Sequence, residues 1–495
     1  MPTIGRPLDP ELAQAHCGMA RVSIARMPPK RPPQDLVARH DPRASGQPAP
    51  VVAGGSVLPT PVTRASTVRQ ISRACEVDRP LAPGDPRWLD LTPARGDRAA
   101  QKLLRRFQDK PIGEPLHMLF ASHRGAGKST ELMLLQSHLK PRYHGLYLAA
   151  NVQMDANQIE VEDLLLVLAQ GIERHMHDLG KPLPTELLER VSHWFSQVIH
   201  TTSWGKDSSV ETAGGIKAEA GLPMFAKITA NLSSLFKVES KHREEVKNEL
   251  KKFPGTLLES VNLLLDAAAQ RLGPDCELLI LIDNLDRYPP AVVDALLVRN
   301  GDRIRQLRCN MILTPPIGLL YRPHSEQIDT HFPCEVMNTV RLRRQDQPYD
   351  AFDGPGRDLL LQALDLRMDL ASLLPDPRAR DRLVTASGGA IRELLSLVVD
   401  AALSAEGASL TLGDVEYAVQ RKKQRLRDLI NANGWWGTLA AVGREKQIVS
   451  DAACLPVLYH RLVLKYNGEG WYDVLPLLTE LPEFQHASQR LPPRL

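Results

Sequence analysis

The feature that most constrains the fold is a glycine-rich stretch between a short apolar run and a helical pattern. The apolar run covers residues 118–121, and leucines follow the glycines at the spacing of one helix face. The stretch itself consists of Ser122, His123, Arg124, Gly125, Ala126, Gly127, Lys128, Ser129 and Thr130. Backbone N–H groups in such a strand–loop–helix context can surround a phosphate. The stretch therefore predicts a phosphate-binding loop (P-loop) in an α/β fold.

The residue types in this loop fit that chemistry. Gly125 and Gly127 let the backbone approach an anion without an intervening Cβ. Lys128 would reach the β- and γ-phosphates of ATP, and the Ser129 hydroxyl would hold Mg²⁺. Ser122 replaces the first glycine of the usual pattern G-x-x-x-x-G-K-[ST]. Because serine is small and tolerates turns, we expect the loop to form despite this change.

The composition sets few limits on function. The chain has 495 residues, of which 43% are hydrophobic and 24% charged, and its formal net charge is +3. This length allows roughly two to four domains, and the charge gives no global reason to expect nucleic acid. None of the six cysteines forms a C-x-x-C pair, so we expect neither a zinc site nor a disulfide framework. Without an apolar run of ~18–20 residues or a signal-peptide pattern, the chain is expected to be cytoplasmic, with no membrane contact.

The N-terminal segment, residues 1–83, is predicted to be a disordered tail. It is rich in proline, arginine, alanine and glycine, and it shows no lasting helical or strand period. Such a composition buries too little apolar surface to offset the entropy of ordering. An over-extended start of the reading frame would explain the same composition, and the sequence leaves both explanations open.

Five apolar runs predict the strands of a sheet. They cover residues 117–121, 145–150, 277–283, 310–314 and 335–342. The third run ends in Asp283 after five consecutive apolar residues, as expected for a strand buried on both faces. Ligands of open α/β sheets bind at the carboxyl ends of the strands, so Asp283 is predicted to hold Mg²⁺ as a Walker B acid. The alternative is that Asp283 caps the helix after a core strand.

The residue that orients the attacking water is harder to assign. The acid for this role usually follows the Walker B aspartate directly, but Asn284 occupies that position and cannot act as a base. Asp286 is our candidate, and a structural role in capping the next helix is the open alternative. For Arg287 we favour a role as a structural ion-pair partner, and a role as a charge sensor is the open alternative. Thr314, at the carboxyl end of the fourth strand, could contact the γ-phosphate or the water.

The second half of the chain is mainly helical in pattern. Helices are expected at 356–373 and 376–385, followed by a Ser-Gly-Gly turn and a helix that carries Arg392 in its first turn. A basic amphipathic helix at 413–431 and a hairpin with an Asn-Gly turn at 467–468 give the outline of a winged helix. The helical stretch at 151–277, with a flexible loop or short hairpin expected at 201–235, is an insertion without an assigned role.

The order of these motifs resembles AAA+ and STAND-type ATPases. The likeness is greatest to the Orc/Cdc6-like branch and to bacterial ATPases with the phrase HRGxGKSTEL, which residues 123–132 match closely. This resemblance implies a P-loop core at 84–342 with a five-stranded parallel sheet in the order 5-1-4-3-2. It implies a helical lid at 343–405, a winged-helix-like domain at 406–480 and a tail at 481–495. It also places Thr314 at sensor 1 and Arg392 at sensor 2, from which an arginine approaches the γ-phosphate.

Three functions fit these observations. The first is a slowly hydrolysing ATP-dependent switch that self-associates or engages a partner protein, with bacterial defence signalling as one setting that the resemblance implies. The second is a DNA-associated AAA+ ATPase of the initiator or transposition-regulator type. The basic residues within 421–427 favour it, although the hairpin carries few bases. The third is a scaffold that binds nucleotide without hydrolysing it.

Overall fold

The computed structural model describes residues 63–77, 80–155, 158–203, 224–236, 241–321, 325–448, 454–467 and 470–492. Most of the predicted N-terminal tail, residues 1–62, lies outside the described residues, and so does most of the loop predicted at 201–235. Residues 224–236 of that loop are instead helical, because Phe225, Ile228 and Leu232 bury one helix face.

The centre of the molecule is a five-stranded parallel sheet. Its strands are β1 His117–Ser122, β2 Tyr143–Ala149, β3 Glu277–Asp283, β4 Asn310–Leu313 and β5 Cys334–Met337. They lie in the order β2-β3-β4-β1-β5, so the predicted order 5-1-4-3-2 is confirmed. The strand β5 is shorter than predicted. Its chain leaves the sheet because the N–H groups of Thr339 and Arg341 donate to Lys465 and Ala94 outside it.

Most of the α-helices in the first part of the chain belong to the layers on either side of this sheet. The helices of this part are α1 Val68–Ala74, α2 Thr92–Arg95, α3 Ala99–Asp109, α4 Lys128–His138, α5 Ala150–Gln153, α6 Val161–Asp178, α7 Thr185–His200, α8 Met224–Phe236, α9 Lys241–Lys251, α10 Pro254–Leu272, α11 Pro290–Leu297, α12 Gly301–Arg305 and α13 Ser325–His331. The helices α1 and α2 pack with the lid instead. One cluster of buried residues packs α3 and α4 on one sheet face, and another packs α6 and α10 on the other. The central strands are therefore buried on both sides, which explains their unbroken apolar sequence.

The insertion at 151–277 contains helices α5–α10 and packs on the sheet through α6 and α10. Charged pairs with little exposure tie its helices together. Arg243 Nη1 lies 2.5 Å from an Asp155 oxygen, and Lys247 Nζ lies 2.9 Å from an Asp163 oxygen. Both cations are fully buried, so removing either carboxylate would weaken the compensation of a charge in the core.

The second half of the chain forms helices and a hairpin around a separate apolar cluster. Its elements are α14 Gly356–Asp365, α15 Leu370–Leu373, α16 Pro377–Ser387, α17 Ile391–Ser404, α18 Leu412–Asn433, α19 Trp436–Glu445, α20 Cys454–Tyr459, β6 Val463–Lys465, β7 Tyr472–Val474, α21 Pro476–Thr479 and α22 Pro482–Gln489. The strands β6 and β7 pair antiparallel at the position of the predicted hairpin. One cluster joins the lid and winged-helix-like segments, so the boundary at 405 and the winged helix remain predictions.

The structure corrects the predicted tails at both ends. The helix α1 lies inside the segment expected to be disordered, and its Val68, Ile71 and Ala74 pack into the same cluster as the lid. At the other end, α22 lies inside the expected tail at 481–495 and packs on α19, where Phe484 approaches Gly443. Both helices are short, so the sequence gives too few periodic residues to reveal them. No helix among the described residues is long and apolar enough to cross a membrane.

Candidate functional site

The predicted P-loop joins β1 to α4 at the carboxyl end of the sheet. Gly125 has φ 84° and Gly127 has φ 104°, a backbone region that favours glycine. A Cβ on Gly125 would also lie 2.5 Å from the Cβ of Arg392. The loop therefore needs glycine at 125 for both its conformation and its contact with the lid helix α17.

Lys128 is 4% exposed and turns back under the loop. Its Nζ lies 2.5 Å from Asp286 Oδ2 and 3.0 Å from Ser122 Oγ. It also donates to the carbonyls of Ser122 and His123, each at 3.3 Å. Ser122 thus supplies a hydroxyl contact that the usual glycine could not make, which accounts physically for the tolerated change in the motif.

Asp283 lies at the end of β3, as predicted, and is 1% exposed. Its Oδ1 accepts from the Thr314 hydroxyl at 2.9 Å and from the Asn284 N–H at 2.8 Å. Its Oδ2 accepts from the Tyr147 hydroxyl at 2.6 Å. Thr314 is fully buried against Asp283 in this structure, so its predicted contact with a γ-phosphate remains a prediction.

Asn284 turns the chain after β3. It has φ 67°, in the left-handed region that asparagine tolerates better than most residues. A 3₁₀ turn, Leu285–Arg287, follows directly and brings Asp286 to Lys128. Among the residues predicted at this strand end, the structure thus brings Asp286 to the P-loop lysine and places Asp283 against Tyr147 and Thr314.

Several cations surround the loop. Arg124, Arg287 and Arg392 line the same cavity as Gly125, Lys128 and Ser129. Burial lowers the pKa of the Arg124 guanidinium, and the neighbouring cations Arg287, Arg461 and Arg392 lower it further. Because like charges gathered in one cavity repel one another, an anionic ligand would be stabilised here.

Apolar side chains form another part of the lining of this cavity. They belong to Val77, Pro80, Leu81, Trp88, Leu89, Leu91, Ala363, Ile391 and Leu395. The Thr130 hydroxyl holds this part of the lining to the P-loop helix by accepting from the Leu81 N–H at 3.2 Å. A cavity lined by both apolar side chains and cations suits a ligand with a flat base and a charged phosphate tail.

His123 makes a contact that the sequence does not predict. The side chain is 2% exposed, and its Nε2 accepts from the backbone N–H of Lys465 in β6 at 2.9 Å. Burial lowers the pKa of His123 to about 3, with Lys128, Arg461 and Lys465 as further causes. In this structure, the neutral side chain of His123 therefore joins the P-loop to the C-terminal hairpin.

Arg95 and Tyr147 are two further residues of the site that the sequence did not predict. Arg95 is buried in α2, where its Nη2 donates to the Ala126 carbonyl at 2.6 Å and its Nη1 lies 3.1 Å from Glu131 Oε1. It therefore braces the loop from outside the motif. Both residues meet their partners only through the tertiary fold, and neither belongs to a recognisable local pattern.

The oxygen atoms at the site fit a magnesium ion. Ser129 lines the cavity at the start of α4, and the carboxylates of Asp283 and Asp286 lie at the adjoining strand end. Hydroxyl and carboxylate oxygens are hard ligands of the kind that Mg²⁺ prefers, and the ion keeps some of its water and binds phosphate oxygens as well.

The basic strip on α18 is mostly neutralised by acids from other elements. Lys422 pairs with Glu393 at 2.6 Å and Arg425 with Asp400 at 3.1 Å. Lys423 contacts Glu480, and Arg427 contacts Glu483. Because these charges are already paired within the fold, the strip offers less positive charge to a nucleic acid than the sequence indicates.

The sequence matches no family model and no curated protein. The structure is similar to the Walker-type ATPase PABY2304 of Pyrococcus abyssi, with 13% identity, a TM-score of 0.38, and coverage of 82% of this chain and 98% of that one. It is also similar to the Aeropyrum pernix ORC2 protein, solved as ADPNP–ADP complexes, with 12% identity, a TM-score of 0.38 and coverages of 84% and 96%. Cdc6p from Pyrobaculum aerophilum gives 12% identity, a TM-score of 0.35 and coverages of 84% and 98%. Likenesses this low support no argument about function, which must come from the residues of this chain.

Proposed function

We propose that this chain binds ATP together with Mg²⁺ and uses the nucleotide as a switch. One observation carries the proposal. A glycine loop with a buried lysine opens onto a cavity that both cationic and apolar side chains line. Lys128 and the arginines would bind the phosphates, and the apolar side chains would provide a surface for the base.

Phosphate binding would exchange one partner of Lys128 for another. The lysine now lies against Asp286, and a β- or γ-phosphate would take the place of that carboxylate. The Ser129 hydroxyl would hold Mg²⁺, which would offset the charge of the phosphates, and Asp283 would support this site from the end of β3. The exchange releases Asp286, which then becomes available to orient water for hydrolysis.

We expect this hydrolysis to be slow. Asn284 supplies no carboxylate at the position that directly follows Asp283, and its left-handed backbone serves the turn that carries Asp286. Asp286 has to leave Lys128 before it can act on water. Slow turnover suits a protein whose ATP-bound and ADP-bound states differ in shape and persist long enough to be recognised.

We favour a protein partner, or a second copy of the chain, as the molecule that recognises the ATP-bound state. A DNA-associated ATPase is the alternative, and the basic helix α18 is the feature that supports it. Intramolecular ion pairs use most of the charge on that helix, as described above, which favours a protein partner.

The Lys128→Ala variant tests the proposal. We expect calorimetry to show a loss of ATP affinity of about thirtyfold or more, because a charge-assisted contact to phosphate disappears. Lys102→Ala, an exposed lysine on α3, is the matched control and should bind ATP as the wild type does. Equal ATP affinity in wild type and Lys128→Ala would refute the assignment. Stimulation of hydrolysis by duplex DNA would favour the alternative.

A further inference from the structure

A line of polar side chains runs across the carboxyl end of the sheet. Ser129 begins it at the P-loop helix, Tyr147 follows on β2, Asp283 on β3, and Thr314 directly after β4. The Tyr147 hydroxyl donates to Asp283 at 2.6 Å and the Thr314 hydroxyl donates to the same carboxylate at 2.9 Å. Ser129 and Tyr147 line the same cavity, and although burial and Asp283 raise the pKa of the Tyr147 phenol, the nearby Ser129 side chain opposes that rise. Three strands and the P-loop helix thus meet through this line.

The direction of the hydrogen bonds follows from the donors available. A phenol has one proton, and Tyr147 directs it to the Asp283 carboxylate. Its oxygen can therefore only accept from Ser129. If Ser129 directs its proton to Tyr147, the lone pairs of the serine oxygen remain available on the cavity side. This orientation is the one that a metal-binding hydroxyl requires.

Burial separates Asp283 from the cavity that Tyr147 lines. Asp283 is 1% exposed and Thr314 is fully buried, whereas Ser129 and Tyr147 are only partly buried and line the cavity. The carboxylate already accepts from two hydroxyls and from the Asn284 N–H. An acid held in this way can orient the ligands of an ion without touching the ion itself.

We propose that Tyr147 is a positioning residue that connects the Asp283 carboxylate to the metal-binding hydroxyl of Ser129. Asp283 then acts on Mg²⁺ through Tyr147, which fixes the Ser129 hydroxyl with its lone pairs toward the ion. This inference rests on the proposed ATP and Mg²⁺ binding, and it adds a residue that no P-loop motif contains.

A second tyrosine on the same strand provides a matched control. The Tyr143 hydroxyl donates to the carbonyl of Phe107 at 2.7 Å, and the residue is 1% exposed at the opposite end of β2. Tyr143→Phe and Tyr147→Phe each remove one hydroxyl from β2 that donates a hydrogen bond. Only Tyr147→Phe removes a hydroxyl that lies between Ser129 and Asp283.

The experiment measures ATP affinity by calorimetry with Mg²⁺ and again with a chelator, in the full chain. The ratio of the two affinities measures the contribution of Mg²⁺ to ATP binding, separately from the contacts that ATP makes without the metal. We expect Tyr147→Phe to lower this ratio about tenfold, the effect of losing one hydrogen bond to a charged group, and to leave metal-free ATP binding unchanged. Tyr143→Phe should keep the wild-type ratio. Mn²⁺ bound in the presence of ATP, followed by paramagnetic resonance, should weaken in parallel.

A double-mutant cycle tests the connection itself. If Asp283 acts through Tyr147, then Asp283→Asn should lower the ratio, and adding Tyr147→Phe should lower it little further. Additive losses, or a wild-type ratio in Tyr147→Phe, would overturn the inference while the proposed ATP binding stands. Equal losses with and without Mg²⁺ would also overturn it, because they would reveal a purely structural role. A wild-type chain that binds no ATP would remove the proposed function and this inference together.

Discussion

At the scale of single residues, Asn284 shows how backbone and chemistry are linked at this site. The residue after the Walker B aspartate adopts φ 67°, which a glutamate would adopt only at a cost of about 1 kcal/mol. Asparagine tolerates this conformation, and the turn that it starts places Asp286 beside Lys128. Asn284 thus leaves the usual acid position without a carboxylate, and its backbone conformation allows the turn that brings Asp286 to the site.

His123 gives a prediction about pH. Its ordinary pKa is 6.5, and burial lowers the pKa to about 3 in the folded chain. Between these values the unfolded chain binds a proton that the folded chain does not, so stability falls as the pH is lowered. From pH 7 to pH 5 the expected loss from this residue is about 2 kcal/mol.

Chemical denaturation of wild type and His123→Gln at the two pH values measures this loss. Glutamine can still accept from the Lys465 N–H but does not titrate, so the variant should lose less stability on acidification. His177→Gln, at an exposed position of α6, is the control and should follow the wild type. If wild type and His123→Gln lose the same stability, His123 does not titrate as its burial requires.

The residues that the sequence could and could not reveal differ in how local their partners are. Gly125 and Gly127 were predictable because a tight anion loop needs positive φ at fixed positions of one short segment. Tyr147 lies 136 residues from Asp283 along the chain, and Arg95 lies 31 residues from Ala126. Contacts of this kind form only when the sheet has assembled, so no local sequence pattern predicts them.

At the scale of elements, strands buried on both faces were the easiest to predict. The strand β3 contains five consecutive apolar residues, and the structure places it between two layers of helices. The charge of α18 was harder to interpret, because the acids that neutralise it come from α17, from Glu480 between α21 and α22, and from α22. Sequence alone shows the basic residues of a helix, whereas their ion-pair partners depend on packing.

The helix α17 carries a prediction about coupling between the lid and the nucleotide. The backbone N–H of Arg392 donates to the Gly125 carbonyl at 3.3 Å, and its side chain packs over Gly125 and lines the cavity. If Arg392 contacts the γ-phosphate, ATP has an interaction with the lid that ADP lacks, and only such a difference can shift the lid equilibrium.

Scattering profiles with ATP, with ADP and without nucleotide test this coupling. We expect Arg392→Ala to bind ADP nearly as the wild type does and to lose the change in shape or assembly that ATP produces in the wild type. Arg421→Ala, on α18 beside the Tyr417 ring, removes an arginine from another helix and should respond normally. Identical ATP responses in wild type and Arg392→Ala would exclude Arg392 as the coupling residue.

At the scale of the whole molecule, distant parts of the chain share one apolar cluster and one cavity. Buried side chains within 65–75 and 91–94 pack with the lid and the hairpin, and Glu76, Val77 and Trp88 line the cavity of the P-loop. The predicted division into tail, core and lid missed this arrangement, because α1 is short and its apolar partners lie about 300 residues later. The described residues 63–77 and 80–83 of the predicted tail therefore belong to the folded unit, and some of them line the proposed nucleotide site.

Two truncations locate the point at which the N-terminal segment becomes necessary. A chain starting at residue 63 keeps α1, the pairing of Ala65 with Met368, and the cavity-lining residues within 76–77 and 80–91. A chain starting at residue 81 loses α1 and exposes the lid residues that Val68 and Ile71 cover. Burying one such side chain contributes about 1.5–3 kcal/mol, so the shorter chain should melt several degrees lower and bind ATP more weakly.

The longer chain should match the full protein in both thermal denaturation and calorimetry. Equal stability of the two truncated chains would show that α1 does not hold the lid, and a loss already at residue 63 would place a structural role in the first 62 residues.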